Sequence, residues 1–306
     1  MWYECCHLRY VKVVKMPIIL LWTLRLGLLI LSGITFNAEA TIDLTCPATQ
    51  DVSGCVDKVA EAGGGTVHLV ATNYYLTKPL RLRNNVNIVG MGYQTIITWS
   101  DAIKKTIDAP VLYSDNVSNI KVENIKIVGT INQSPDSHDI RNNLIGFYLN
   151  CNGDPTSGEK TGCNNITLKN VEVENSSHGV HIKGASHVTA IDLKLHNNGN
   201  TLKDYFHNVY FRRVEDLRVI QTKKESGGFY DSPRGHGIRG SHLKNVYMSN
   251  LAVYDNADYG VHMDTVFDVR LHNLDVYDNC RSGKPGCAEI KCYGPQCDIN
   301  YHAPEE

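Results

Sequence analysis

The sequence has no surplus of positive charge: 30 Lys and Arg stand against 32 Asp and Glu, a formal charge of −2. Proteins that hold nucleic acid usually carry a basic excess, so this balance argues against that partner while leaving room for one local basic groove. The ten cysteines include no repeated CxxC pair, which speaks against a metal centre. No compact acidic loop demands Ca²⁺, so no metal or other cofactor is indicated, and Ca²⁺ at the Asp turns is left open. Beyond one short stretch near the N-terminus there is no long helical period, which leaves all-β architectures. What is present suffices for a large core: 42% of the 306 residues are apolar, and 20% charged residues argue against general disorder.

One long apolar run occurs, from Pro17 to Phe36, behind Arg9, Lys12 and Lys15 and ahead of Ala38-Glu39-Ala40. Basic lead, apolar stretch and small residues before a cleavage point read as a signal peptide over 1–40, and Arg25 argues against a spanning anchor. The expectation is a secreted, extracellular chain of one domain, 41–306, with no membrane attachment after cleavage. Removing 1–40 takes away four basic and two acidic side chains and leaves a charge of −4. Eight cysteines remain, an even number that suits disulfides in an oxidising compartment. Cys46–Cys55 and Cys151–Cys163 are natural short-loop pairs. Cys280, Cys287, Cys292 and Cys297 form a Cys-rich C-terminal cap whose pairing stays open.

Residues 51–62 predict one amphipathic helix, with Val52, Cys55, Val56 and Val59 on one side and Gly63-Gly64-Gly65 ending it. Short alternating segments follow, punctuated by Asn and Gly. Five of them, at 146–152, 179–185, 208–214, 237–243 and 260–266, can be laid in register, with Tyr148, His181, Tyr210, Arg239 and His262 at the central position. Their separations of 33, 29, 29 and 23 residues fit a solenoid, the longest step containing the Cys151–Cys163 loop. Turns of that length built from short strands predict a single-stranded parallel β-helix; a β-sandwich is the alternative. Val180, Ile182, Val209, Phe211, Ile238, Val261 and Met263 should point inward, and Asn124, Asn170 and Asn250 should form an inward ladder.

The stretch from Asp51 to Ser100 resembles the entry region of secreted right-handed β-helix proteins of the pectate-lyase-like superfamily. The short helix at 52–62, the Gly-rich turn at 63–65 and the extended strand, xGxG and T-x-h passage at 86–97 carry the resemblance. It implies a right-handed β-helix over about 46–280 with the helix capping its open end. It does not imply one activity, because lyases, glycoside hydrolases, epimerases and phage tailspikes share this fold.

Alternation places one column of Tyr148, His181, Tyr210, Arg239 and His262 on the outside. A second column holds Asn150, Lys183, Arg212, Ser241 and Asp264, while His178, His207, His236 and Tyr259 precede the strands. Four rung intervals span about 19 Å, enough for several units of an extended polymer. Tyr, His, Arg and Lys in that arrangement suit β-elimination in an acidic polysaccharide, where a base takes the proton beside a uronate carboxylate that a cation has neutralised. The expected roles are His181 as base, Tyr210 as acid (an exchange of the two is allowed) and Arg212 or Arg239 as carboxylate clamp. Tyr148, Asn150, Lys183, His207, His236, His262 and Asp264 are expected to contact substrate, with His207 or His236 as substitute bases or, equally, structural turn residues.

A uronan C5-epimerase would use the same base and clamp. The Asp-Pro-His motif that resemblance to alginate epimerases would require is matched only loosely, by the SPDSHD stretch at 134–139. A glycoside hydrolase would need two carboxyl groups, for which Asp204, Asp231, Asp258 and Asp264 are the candidates. A non-catalytic carbohydrate-binding solenoid would instead use Tyr148, Tyr210 and Tyr259 as stacking surfaces. Nothing in the pattern sets an oligomeric state.

Overall fold

The computed structural model describes residues 41–131, 143–200 and 205–302. The proposed leader, the SPDSHD stretch and Asp204 lie outside the described residues. Every strand pairing among the described residues is parallel. An antiparallel sandwich is thereby excluded, and the chain winds as the parallel β-helix expected from its repeats.

Each turn of the solenoid contributes to three faces. The first face stacks 112–115, 147–150, 180–183, 209–212, 238–241, 261–264 and 290–292. The second stacks strands from 42–46 through 188–191, 217–220 and 246–249 to 269–272. The third runs from 73–76 through 171–174, 194–196, 228–230 and 252–254 to 275–277. Inside, Val180, Ile182, Val209, Phe211, Ile238, Val261 and Met263 are all fully buried, as the alternation requires. On the outside of the third face His196, Tyr230, Tyr254 and Tyr277 stack ring on ring, 4.9, 4.9 and 5.2 Å apart.

The corners explain the Asn and Asp punctuation. Asn124, Asn170, Asp192, Asn250 and Asn273 all have φ between 49° and 57° at the bend from second to third face. Short polar side chains tolerate this left-handed backbone better than branched ones. Gly65 has a φ of +138°, and a Cβ there would stand 1.9 Å from the carbonyl oxygen of Ile42, so the first rung closes only on glycine. The helix, α1 (Val52–Glu61), starts at Asp51, whose carboxylate accepts from the Ser53 amide at 3.0 Å, and it turns Val52, Cys55, Val56 and Val59 onto the first rungs. Disulfides join Cys46 to Cys55 and Cys151 to Cys163, and the terminal four pair as Cys280–Cys287 and Cys292–Cys297.

The expected inward ladder of Asn124, Asn170 and Asn250 is corrected. These residues are half-buried at the outer corner, where Asn170 donates to Asn124 at 2.8 Å and Asn273 to Asn250 at 2.7 Å. Asp192 and Gln221 occupy the two corners between the pairs, so they do not join. The fully buried ladder lies at the corner leading into the first face. There Asn198 donates to Asn208, Asn208 to Asn256 and Asn256 to Asn279, at 3.0, 3.0 and 2.8 Å. Its amides take the space in front of the strands: a Cβ at Gly237 or Gly260 would lie 2.7 or 2.6 Å from the Nδ2 of Asn256 or Asn279. Gly179, which faces Asn198 in the same way, completes a set of three glycines that record the ladder beneath their first-face strands.

Asn256 also donates to the carbonyls of Phe229 and Tyr254 and accepts from the Ser232 amide at 3.1 Å. Asn256→Ala strands several buried groups, each costing about 1–3 kcal/mol. Urea denaturation should show a loss of at least about 3 kcal/mol by the same reckoning. The exposed Asn165→Ala should show a much smaller one, and equal shifts would mean that the buried ladder does not hold the solenoid together.

Candidate functional site

The outward side chains of the first face fall into two columns. Strand register aligns Arg81, Tyr113, Tyr148, His181, Tyr210, Arg239, His262 and Lys291 in one. Asp115, Asn150, Lys183, Arg212, Ser241 and Asp264 form the other. The five central pairs are those the repeat spacing aligned. Arg81, Tyr113, Asp115 and Lys291 extend the columns beyond them. Their signals were present, as Leu-Tyr-Ser-Asp at 112–115 and Ile-Lys-Cys at 290–292, but both lie outside the five aligned repeats.

His181 sits at the middle. Its ring stacks on Tyr210 with centroids 4.8 Å apart, faces Tyr148 at 5.0 Å and touches His178 at 5.3 Å. Its Nε2 is buried and has no hydrogen-bond partner among the described residues. Burial, then the neighbouring His178, Arg212 and Lys183, holds its pKa well below the usual imidazole range. The ring is therefore neutral near neutral pH, the state in which Nε2 can accept a proton. Tyr210 shares a hydrogen bond of 3.0 Å with Ser241 across the columns. The Tyr148 phenol is pushed upward by burial and by Asp115, which keeps it protonated.

The two arginines differ. Arg239 is engaged by Asp264 and donates to the carbonyls of Gly240 and His262 at 2.9 and 3.3 Å. Arg212 makes no ion pair among the described residues and lies near enough to shift both Tyr148 and His181. Lys183 donates to Asn150 at 3.1 Å, and Asn150 donates to Asp115 at 2.9 Å. Of the two clamps allowed by sequence, Arg212 is the one whose charge is unspent.

Beneath the columns runs a buried histidine stair. The His207 amide donates to His178 Nδ1, and the His236 amide to His207 Nδ1, each at 3.1 Å. His207 and His236 stack face to face at 4.4 Å. Burial lowers the pKa of His178 to about 4, of His207 well below its usual value and of His236 to about 2. His207 and His236 thus lie under the row, not at an open groove edge, and the Nδ1 of His207 is occupied by backbone. His262, half-buried, meets His236 Nε2 at 3.3 Å and is lowered to about 4 by burial and by Arg239.

Among the described residues the candidate carboxylates do not form a hydrolytic pair. Asp115 and Asp264 stand five rungs apart in the second column, about 24 Å, far beyond the reach of one glycosidic bond. Asp258 is buried and held by Lys284 at 2.9 Å, and Asp231 lies at a corner near Arg281. Possible metal ligands lie elsewhere: Glu172, Glu174 and His196 on the third face bring ligand atoms within 4.8 Å of one another. There the Lys126 ammonium already meets the two carboxylates at 2.8 and 3.0 Å. Burial pushes the Glu172 carboxyl up, but hydrogen bonds from His196 and Lys126 outweigh it and hold it at about 2. A lysine supplies the positive charge that a metal would bring.

No family model and no curated protein matches the sequence. Solved structures do match in shape. The A-module of a mannuronan C-5 epimerase from Azotobacter vinelandii is 20% identical with a TM-score of 0.51, over 82% of this chain and 71% of that one. PfbA, a surface adhesin of Streptococcus pneumoniae, is 14% identical with a TM-score of 0.55, over 75% of this chain and 60% of that one. DFA-IIIase from Arthrobacter chlorophenolicus without its lid is 11% identical with a TM-score of 0.58, over 85% of this chain and 70% of that one.

The chain shares the parallel β-helix fold of these structures. At these identities the likeness is one of fold. An epimerase module and an adhesin sharing the β-helix illustrate how little the solenoid alone says about chemistry.

Proposed function

We propose that the first face binds an acidic polysaccharide and that His181 removes the proton beside a uronate carboxylate, a second acid then delivering a different proton from the other side to give C5 epimerisation. The observation that carries this reading is a neutral histidine with an unpartnered Nε2, bracketed by Tyr148 and Tyr210 and beside the unpaired Arg212. In the proposed step the His181 ring, whose Nε2 is buried in the free chain, turns toward the sugar; the C5–H bond breaks, its proton goes to Nε2, and the electron pair moves into an enolate on the carboxylate. Arg212 neutralises that charge, with Lys183 next in the column. Reprotonation needs a second acid on the opposite side of the sugar ring; we assign it to Tyr210, one rung from His181 in the same column, with the sugar standing edge-on above the tips of the two side chains.

β-Elimination, the reading first suggested by the sequence, uses the same base and clamp and differs in expelling the glycosidic oxygen. Both reactions need a base and an acid, so the side chains serve either; elimination is placed second only because an epimerase module is among the structures that share the fold. Four disulfides suit work in an oxidising, extracellular compartment.

The test is incubation with mannuronan, pectate and glucuronan in deuterated water. Epimerisation should place deuterium at C5 and change the uronate ratio by nuclear magnetic resonance, with no new chain ends. Unsaturated, ultraviolet-absorbing ends would replace this reading by the lyase. Binding with neither product would make the first face a carbohydrate-binding surface of the kind an adhesin needs.

A further inference from the structure

The second face carries an open groove of about 790 Å³, on a different side of the solenoid from His181. Along it Thr189, Arg218, Tyr247 and Arg270 occupy successive rungs at one strand position. Tyr247 is 37% exposed and has no stacking partner among the described residues. Asp216 and Asp268 also line the groove, and each is engaged where it stands. Asp216 accepts from Asn245 at 2.9 Å and faces His187 at 3.3 Å, while Asp268 meets only the Nε side of Arg270, at 3.5 Å. Arg218 is exposed and makes no ion pair among the described residues.

We infer that this groove is a second binding site, separate from the first face, for an acidic oligosaccharide laid along the solenoid axis. A sugar ring covers Tyr247, and Arg218 and Arg270 take carboxylates on either side of it. The spacing suits the ligand: the two guanidinium groups arise two rungs apart, about 10 Å, on the order of one disaccharide of an extended glycuronan. Exposed arginines recognise a planar carboxylate through paired N–H groups, and an amphipathic ring offers contact area at small entropic cost. A site of this kind holds polymer on the protein without taking part in chemistry.

The experiment uses the full mature chain in which His181→Ala and Arg212→Ala have disabled the first face. Hexamannuronate and hexagalacturonate are titrated calorimetrically, with cellohexaose as the uncharged counterpart. The disabled protein should still bind at least one acidic hexamer, and more tightly than cellohexaose. Adding Arg218→Gln or Tyr247→Ala, both solvent-facing, should each weaken that binding by about tenfold or more, the size of one lost charge-assisted contact. Loss of all binding in the disabled protein, or unchanged affinity in both second-face variants, overturns the inference. Equal affinity for cellohexaose overturns its acidic ligand. The first-face reading is scored separately, by product formation in the otherwise wild-type chain, so either can fail while the other stands.

Discussion

Tyr210→Phe should lower kcat on the best polyuronate by at least about 100-fold, because it removes a proton carrier and nothing else. The ring that stacks on His181 at 4.8 Å is kept, and only the hydroxyl bonded to Ser241 is lost. KM should stay nearly constant if the hydroxyl acts in the transition state. His181→Ala should cost about 10²- to 10⁴-fold for the same reason, and Arg212→Ala should raise KM as well as lower kcat, since a clamp holds the ground-state carboxylate too. Unchanged kcat in Tyr210→Phe would remove that residue from proton transfer. Unchanged kcat in His181→Ala would remove the proposed base, and the buried stair beneath it offers no exposed replacement.

The second large effect is on stability in acid. His178, His207 and His236 are buried as neutral rings, with pKa values of about 4, well below normal and about 2. Their unfolded value is about 6.5. For a histidine lowered by folding, the unfolded chain binds the extra proton, so stability is complete above the unfolded value and falls as pH drops below it. Each group can contribute a slope of about 1.4 kcal/mol per pH unit, and the three should remove on the order of 5 kcal/mol between pH 7 and pH 5, to which His181 and His262, lowered in the same direction, add. Glu172, held at about 2, adds its own loss only below the ordinary carboxylate range, so the two effects separate. Thermal midpoints at the two pH values test this. His207→Asn keeps a side-chain acceptor near the His236 amide without a titrating ring and should flatten the profile. A midpoint independent of pH over that range would mean the stair is open to water.

Much of the architecture was legible because a solenoid repeats its constraints. The separations of 33, 29, 29 and 23 residues aligned His181 with Tyr210 and Lys183 with Arg212, and the strand register pairs those same residues. Alternation sufficed to sort inside from outside on the first face. What alternation does not encode is depth next to a corner. His207 and His236 precede strands just as exposed turn residues would, and only the amide of the next rung donating to Nδ1 shows that they are internal. The same blindness hid the buried asparagines: Asn198, Asn256 and Asn279 look like ordinary turn residues in the chain. The Arg239–Asp264 pair crosses between columns on neighbouring rungs, a diagonal contact that a column-by-column alignment does not display.

The corner asparagines also make each coil of the helix a near-interchangeable slice. Residues 209–237 close one complete turn, from the strand position of Val209 to that of Ile238. Excising those 29 residues would join two corners of like geometry and set His181 directly against Arg239 instead of Tyr210. Duplicating them would lengthen the row without disturbing the coils on either side. Gain, loss or recombination of whole coils can therefore rewrite the chemistry of the row while the interior stays in register, a route to new specificities that domains with a single closed core do not offer.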